Sequence, residues 1–138
     1  GNINLCNQLI NRLFINFHMP HIRLEHTQNL DADFAKLVFK QLRTIIIDVT
    51  GVKEENCKCR AILIPVYEVG NGDDLQNFYH LEISILKGRS QKTRQKIGQE
   101  SLQILKEYFM GKDGKNLKQF SVEIREMDHR NYFTTTNL

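Results

Sequence analysis

Residues 78–99 read FYHLEISILKGRSQKTRQKIGQ, and the period of the apolar side chains changes once along them. From Phe78 to Leu86 the residues alternate, which puts Tyr79, Leu81, Ile83 and Ile85 on one face of a strand. Beyond Gly88 the spacing becomes helical. Ser90 can cap a helix running to about Met110, with Ile97, Ser101, Ile104, Leu105 and Tyr108 on one stripe, and Gly111 stops it. A strand, a turn and a long helix in succession form the first two-thirds of a β-α-β unit, and alternation over Phe120–Glu126 supplies the closing strand.

The same order stands upstream. His21–Thr27 alternates as a strand, and Asp31–Asp48 carries Phe34, Leu37, Val38, Leu42, Ile45 and Val49 at helical spacing. Asp31 or Asp33 can cap that helix, and Gly51 ends it or begins the following turn. Cys57–Val69 reads as a strand, part of which Pro65 demotes to an edge or bulge. Gly70–Asp74, GNGDD, is a turn that predicts a hairpin.

The expected order is β-α-β, a hairpin, then β-α-β: an α+β fold. Right-handed crossovers place both helices on one face of a four-stranded mixed sheet. On the second strand the pleat groups Lys58, Arg60, Ile62, Ile64 and Val66, opposite Cys57, Cys59, Ala61 and Leu63. A half-apolar face without a covering helix calls for a partner, so the expectation is an oligomer whose subunits share their sheet faces.

The 138 residues suit one domain with a real core. A net charge of +3 suits small anionic substrates and does not point to nucleic acid. The basic run Lys87, Arg89, Lys92, Arg94 and Lys96 has no interleaved aromatics and is followed by Glu100 and Glu107, so it reads as a solvated helix face. No apolar run approaches the ~20 residues of a membrane helix. Cys6, Cys57 and Cys59 form neither a disulfide framework nor a zinc site, and reduced cysteines fit a cytoplasmic protein. His18, His21, His26, His80 and His129 lack metal-ligand spacing and read as surface or hydrogen-bonded histidines.

Residues 1–18, GNINLCNQLINRLFINFH, differ in composition. They hold five Asn and one Arg, while all 16 acidic residues lie after Met19. They lack the form of a secretory signal. Leu9, Ile10, Leu13, Phe14 and Phe17 fit the stripe of an amphipathic helix packed on the domain. The A/T-rich codons of Asn, Ile, Leu and Phe also fit translated upstream DNA, with Met19 as the biological start. The expected division is therefore an extension, 1–18, and a domain, 19–138.

Two places carry candidate chemistry. The turn Gly88-Arg89-Ser90 joins a strand to a helix N-terminus, where free N–H groups favour an anion and the Arg89 fork suits a carboxylate. The alternative is a solvated arginine beside an ordinary cap. Pro20 follows Met19, and trimming the methionine would expose a secondary amine. An α-amino pKa of ~7.7–8.0, lowered by burial and by Lys58, Arg60 or Arg89, suits a general base. The alternative is a proline that merely opens a strand, where its fixed φ and missing donor are harmless.

MPHIRLEHTQNL (19–30), FYHLEISILKGRSQKTRQKIGQ (78–99) and FSVEIREMDHRNYFTTTN (120–137) together resemble the 5-carboxymethyl-2-hydroxymuconate Δ-isomerases of the tautomerase superfamily. The resemblance covers nearly all of residues 19–138. It implies a tautomerase-like homotrimer with sheets facing a shared interior, and a general base at the amino-terminal proline, here Pro20. No metal or cofactor is implied. The substrate class is a muconate-type polycarboxylate from aromatic ring cleavage, bound by arginines that stabilise enolate charge. Arg89 matches the turn arginine. Lys58 stands where the family has an arginine and Arg60 at a second arginine, so Lys58 supplies charge but no fork. Residues 1–18 have no family counterpart, and while Met19 is attached the Pro20 nitrogen is an amide with no basic lone pair. Two alternatives stand beside this reading: a tautomerase for another enol acid, and a non-catalytic oligomer that uses the extension as a binding arm.

Overall fold

The computed structural model describes residues 19–72, 76–111 and 116–137. The extension, with its expected helix, and part of the GNGDD turn lie outside these residues. The chain order is β1 (His21–His26), α1 (Ala32–Thr50), β2 (Lys58–Leu63), β3 (Gln76–Leu86), α2 (Gln91–Phe109) and β4 (Leu117–Met127). The strands form one sheet in the order β2-β1-β3-β4. β1 runs parallel to β2 and β3 parallel to β4, while β1 and β3 are antiparallel. This is the expected four-stranded mixed sheet.

The hairpin expected between the second and third strands does not form, because β1 lies between them. Burial explains the order. Ile22 and Leu24 of β1, and Leu81 and Ile83 of β3, are fully buried, so these two strands take the centre. The inward residues of β2 are the smaller Cys59 and Ala61, only partly buried, which suits an edge. β2 also stops at Leu63 rather than Val69. Ile64 N–H still bonds the His26 carbonyl at 2.8 Å, but Pro65 has no N–H to extend the ladder. Val66 is therefore exposed and not part of the sheet face.

Asp31 caps α1, its carboxylate accepting from Phe34 N–H at 3.1 Å. Gly51 closes the helix at φ 74°, a left-handed conformation that suits glycine. The buried stripe of α1 is Ala35, Val38, Leu42 and Ile46. The helix is thus turned slightly from the expected face, and Leu37 is 55% exposed. Ser90 caps α2, which buries Ile97, Ser101, Leu105 and Phe109. Phe34 of α1 meets Tyr108 and Phe109 of α2 at ring-centroid distances of 5.9 and 5.7 Å. Both helices thus share one core with one face of the sheet. Each fully buried Leu or Ile contributes roughly 1.5–3 kcal/mol. Among the described residues, the buried hydrophobic side chains run from Ile22 to Phe109.

The other sheet face is more polar than expected. β2 presents Lys58, Arg60 and Ile62 there, and its neighbours add ion pairs. Arg23 meets Glu25 at 3.1 Å, and Arg125 meets Glu123 at 3.3 Å and Glu82 at 3.7 Å. His80 Nδ1 lies 2.6 Å from Ser121 Oγ.

Candidate active site

The sheet register decides which residues meet. His21 pairs with Lys58 on one side and Ser84 on the other, and Leu86 pairs with Met127. The starts of β1 and β2 and the ends of β3 and β4 therefore share one end of the sheet. Pro20, Lys58, the Gly88-Arg89-Ser90 turn and the segment after Met127 all belong to it.

Pro20 is buried, and its carbonyl accepts the Lys58 N–H at 3.0 Å, continuing the β1–β2 ladder by one rung. A strand start tolerates proline because no ladder donor is needed there. The Lys58 ammonium lies 3.7 Å from the Met19 sulfur, and the Thr134 hydroxyl lies 3.5 Å from the same sulfur. Met19 fills the space between these two donors.

Arg60 Nη1 lies 3.0 Å from His21 Nδ1, and His21 Nε2 lies 2.8 Å from the Tyr132 hydroxyl. The Tyr132 ring stands edge-on to the imidazole at 5.9 Å. Guanidinium has no acceptor, so Nδ1 must accept and cannot carry a proton. Burial is the main cause lowering the His21 pKa, with Arg60 and then Lys58 adding to it. With Nδ1 accepting from Arg60, the matching tautomer is the neutral ring with its proton on Nε2.

Arg89 is half-buried in the turn after β3. Its carbonyl accepts from Arg94, which also bonds Gln91 at 2.7 Å and meets Glu126 at 3.3 Å. The Ser90 hydroxyl accepts from Thr93 N–H at 3.1 Å. These bonds fix the turn. Lys58 and Arg60 thus adjoin Pro20 and His21 directly, while Arg89 shares the end of the sheet from the next strand over.

Three residues at this end escape a reading of the sequence: His21, Tyr132 and Thr134. His21 looks like one histidine among several. Tyr132 and Thr134 lie in a tail without periodicity, where the one signal is a density of hydroxyls just past a strand end.

Elsewhere, Cys57 and Cys59 are free thiols. Burial raises both pKa values, that of Cys57 to about 11, so neither is a ready nucleophile. Among the described residues no group of three or more His, Cys, Asp or Glu converges as a metal site. No helix there is long and apolar enough to cross a membrane. An apolar groove of about 530 Å³ beside His26, Leu30 and Phe39 opens at the opposite end of β1.

No curated protein matches the chain in sequence. Among solved structures, a 5-carboxymethyl-2-hydroxymuconate isomerase from Deinococcus radiodurans R1 is similar with a TM-score of 0.76 and 22% identity, covering 88% of this chain and 92% of that one. A 5-carboxymethyl-2-hydroxymuconate delta-isomerase gives 0.66 at 16% identity, covering 88% and 90%. A fused 4-OT symmetric trimer gives 0.67 at 12% identity, covering 86% and 94%. These likenesses establish the tautomerase-like fold. The sequence profile of 5-carboxymethyl-2-hydroxymuconate isomerase matches residues 20–138, from Pro20 onward, and the chain belongs to that family of isomerases.

Proposed function

We propose that the chain, once Pro20 is its amino terminus, moves a proton between the dienol and keto forms of a muconate-type polycarboxylate in aromatic catabolism, without a cofactor. One placement carries this reading. Pro20 stands buried on the ladder to Lys58, with Arg60 two residues along the same strand. A free proline nitrogen starts near ~7.7–8.0, and burial and adjacent cations lower its pKa toward neutral. It is then a base matched to ambient pH.

In the proposed cycle the ring nitrogen takes the enol proton. The O–H electron pair forms the carbonyl, the conjugated π electrons shift, and the remote carbon takes the proton back from nitrogen. Lys58, Arg60 and Arg89 hold carboxylates and offset charge on the developing oxyanion. Because Lys58 is a point charge rather than a fork, a related enol acid is the second reading of the substrate. A cytoplasmic homotrimer completes the proposal. Its support is the sheet face that no described helix covers, which carries both signs of charge, and the likeness to a protein that is itself a symmetric trimer.

The test compares the chain starting at Gly1 with one starting at Pro20, using 2-hydroxymuconate and following loss of dienol absorbance. The Pro20 chain should ketonise it while the longer chain does not, and size-exclusion chromatography with light scattering should report a trimer. Equal turnover by the two chains would remove Pro20 as the base.

A further inference from the structure

We propose that the Tyr132 hydroxyl is a substrate-binding hydrogen-bond donor, directed to the substrate's enol or keto oxygen by a chain running from Arg60 through His21. The inference rests on the proposed isomerase reading and extends it to the carboxy-terminal segment.

The direction of the chain follows from donor and acceptor chemistry. Arg60 can only donate, so His21 Nδ1, 3.0 Å away, accepts. The neutral ring then carries its proton on Nε2, 2.8 Å from the Tyr132 oxygen, and donates it there. A phenol that accepts from His21 must turn its own proton elsewhere. His21 is therefore a positioning residue, and its neutral state, favoured by burial and by the flanking cations, preserves that direction.

Placement supplies the second half. His21 follows Pro20 directly, and Tyr132 reaches it from beyond the end of β4. Two residues further, Thr134 and Lys58 both approach the Met19 sulfur. With Met19 removed, an ammonium and a hydroxyl face the vacated volume beside the ring nitrogen, a pairing suited to a carboxylate oxygen. The Tyr132–Thr134 segment thus forms a wall of the site, with Tyr132 against His21 and Thr134 against Met19.

The test uses the chain beginning at Pro20 and three variants: Tyr132→Phe, His21→Leu and His21→Gln. Tyr132→Phe keeps the edge contact with imidazole and loses only the hydroxyl. It should lower kcat on 2-hydroxymuconate by roughly 10- to 100-fold with KM changed less than about twofold, as expected for a donor that acts mainly on developing charge. His21→Leu should match that loss, and the double variant combining it with Tyr132→Phe should lose no more. His21→Gln offers an amide oxygen to Arg60 and an N–H to Tyr132, and should restore most of the rate. A second measurement needs no turnover: calorimetric binding of 2-oxoadipate against adipate. The parent should prefer the keto acid, and Tyr132→Phe should erase the preference. A Tyr132→Phe chain with parental kcat, or with the preference intact, overturns the inference. An inactive parent that still shows a Tyr132-dependent preference defeats the proposed reaction and supports this assignment.

Discussion

The ammonium of Lys58 lies 3.7 Å from the sulfur of Met19, the residue whose carbonyl makes Pro20 an amide. One residue thus both acylates the candidate base and occupies a candidate anion site. Removing Met19 frees two groups at once. In the chain that begins at Pro20, Lys58→Ala should raise KM for a dicarboxylate about 10- to 100-fold, the equivalent of the ~1.5–3 kcal/mol of a charged hydrogen bond. Steady-state kinetics against mono- and dicarboxylate enols checks this, since only the second should respond strongly.

His21 gives a pH prediction with a definite sign. Its folded pKa lies below the 6.5 of an ordinary histidine, so the unfolded chain binds the proton first as pH falls. Its contribution to stability is complete above about pH 6.5 and declines as pH drops from there through the folded pKa. His21→Gln should flatten this part of the curve. Urea unfolding midpoints between pH 5 and 8 give the comparison.

Cys57 behaves in the opposite sense. Burial and the neighbouring Cys59 push its pKa from 9.0 to about 11, so the folded chain retains the proton that the unfolded chain releases. The stability linked to this group declines as pH rises from about 9 through 11. In the folded protein at pH 8, iodoacetamide should label Cys57 at least several-fold more slowly than in urea, as peptide mass mapping will read.

The rotation of α1 separates two leucines five positions apart. Leu42 is fully buried and Leu37 is 55% exposed. Leu42→Ala should cost about 2–5 kcal/mol, and Leu37→Ala no more than ~0.5 kcal/mol beyond any loss at an oligomer contact. Chemical denaturation of both variants decides whether the helix sits as described.

Local rules located most of the elements, and the reasons for their failures are physical. β3 and α2 are legible because alternation, the Ser90 cap and the helical stripe agree along one uninterrupted stretch. The order of the strands is not legible from a turn. GNGDD connects β2 to β3, yet the central place next to β3 goes to β1, whose Ile22 and Leu24 bury fully. The face of α1 is ambiguous in sequence because Leu37, Val38, Ile45, Ile46 and Ile47 leave two apolar stripes in competition, and packing in the shared core chose one. At the site, alternation puts Lys58 and Arg60 on one face of β2, but their pairing with Pro20 as candidates comes from the resemblance to the family, not from periodicity. Tyr132 and Thr134 could not be named in advance, since an aperiodic tail acquires its position from contacts far away in sequence.

β1 is an interior strand, bracketed by β2 on one side and β3 on the other. The atom assigned to proton handling is thus carried by the part of the sheet least free to move. The groups assigned to recognition sit on an edge strand, a turn and a tail. Changes to those peripheral pieces can redirect which acid is accepted while the ring stays in place, so chemistry and selectivity are open to independent engineering.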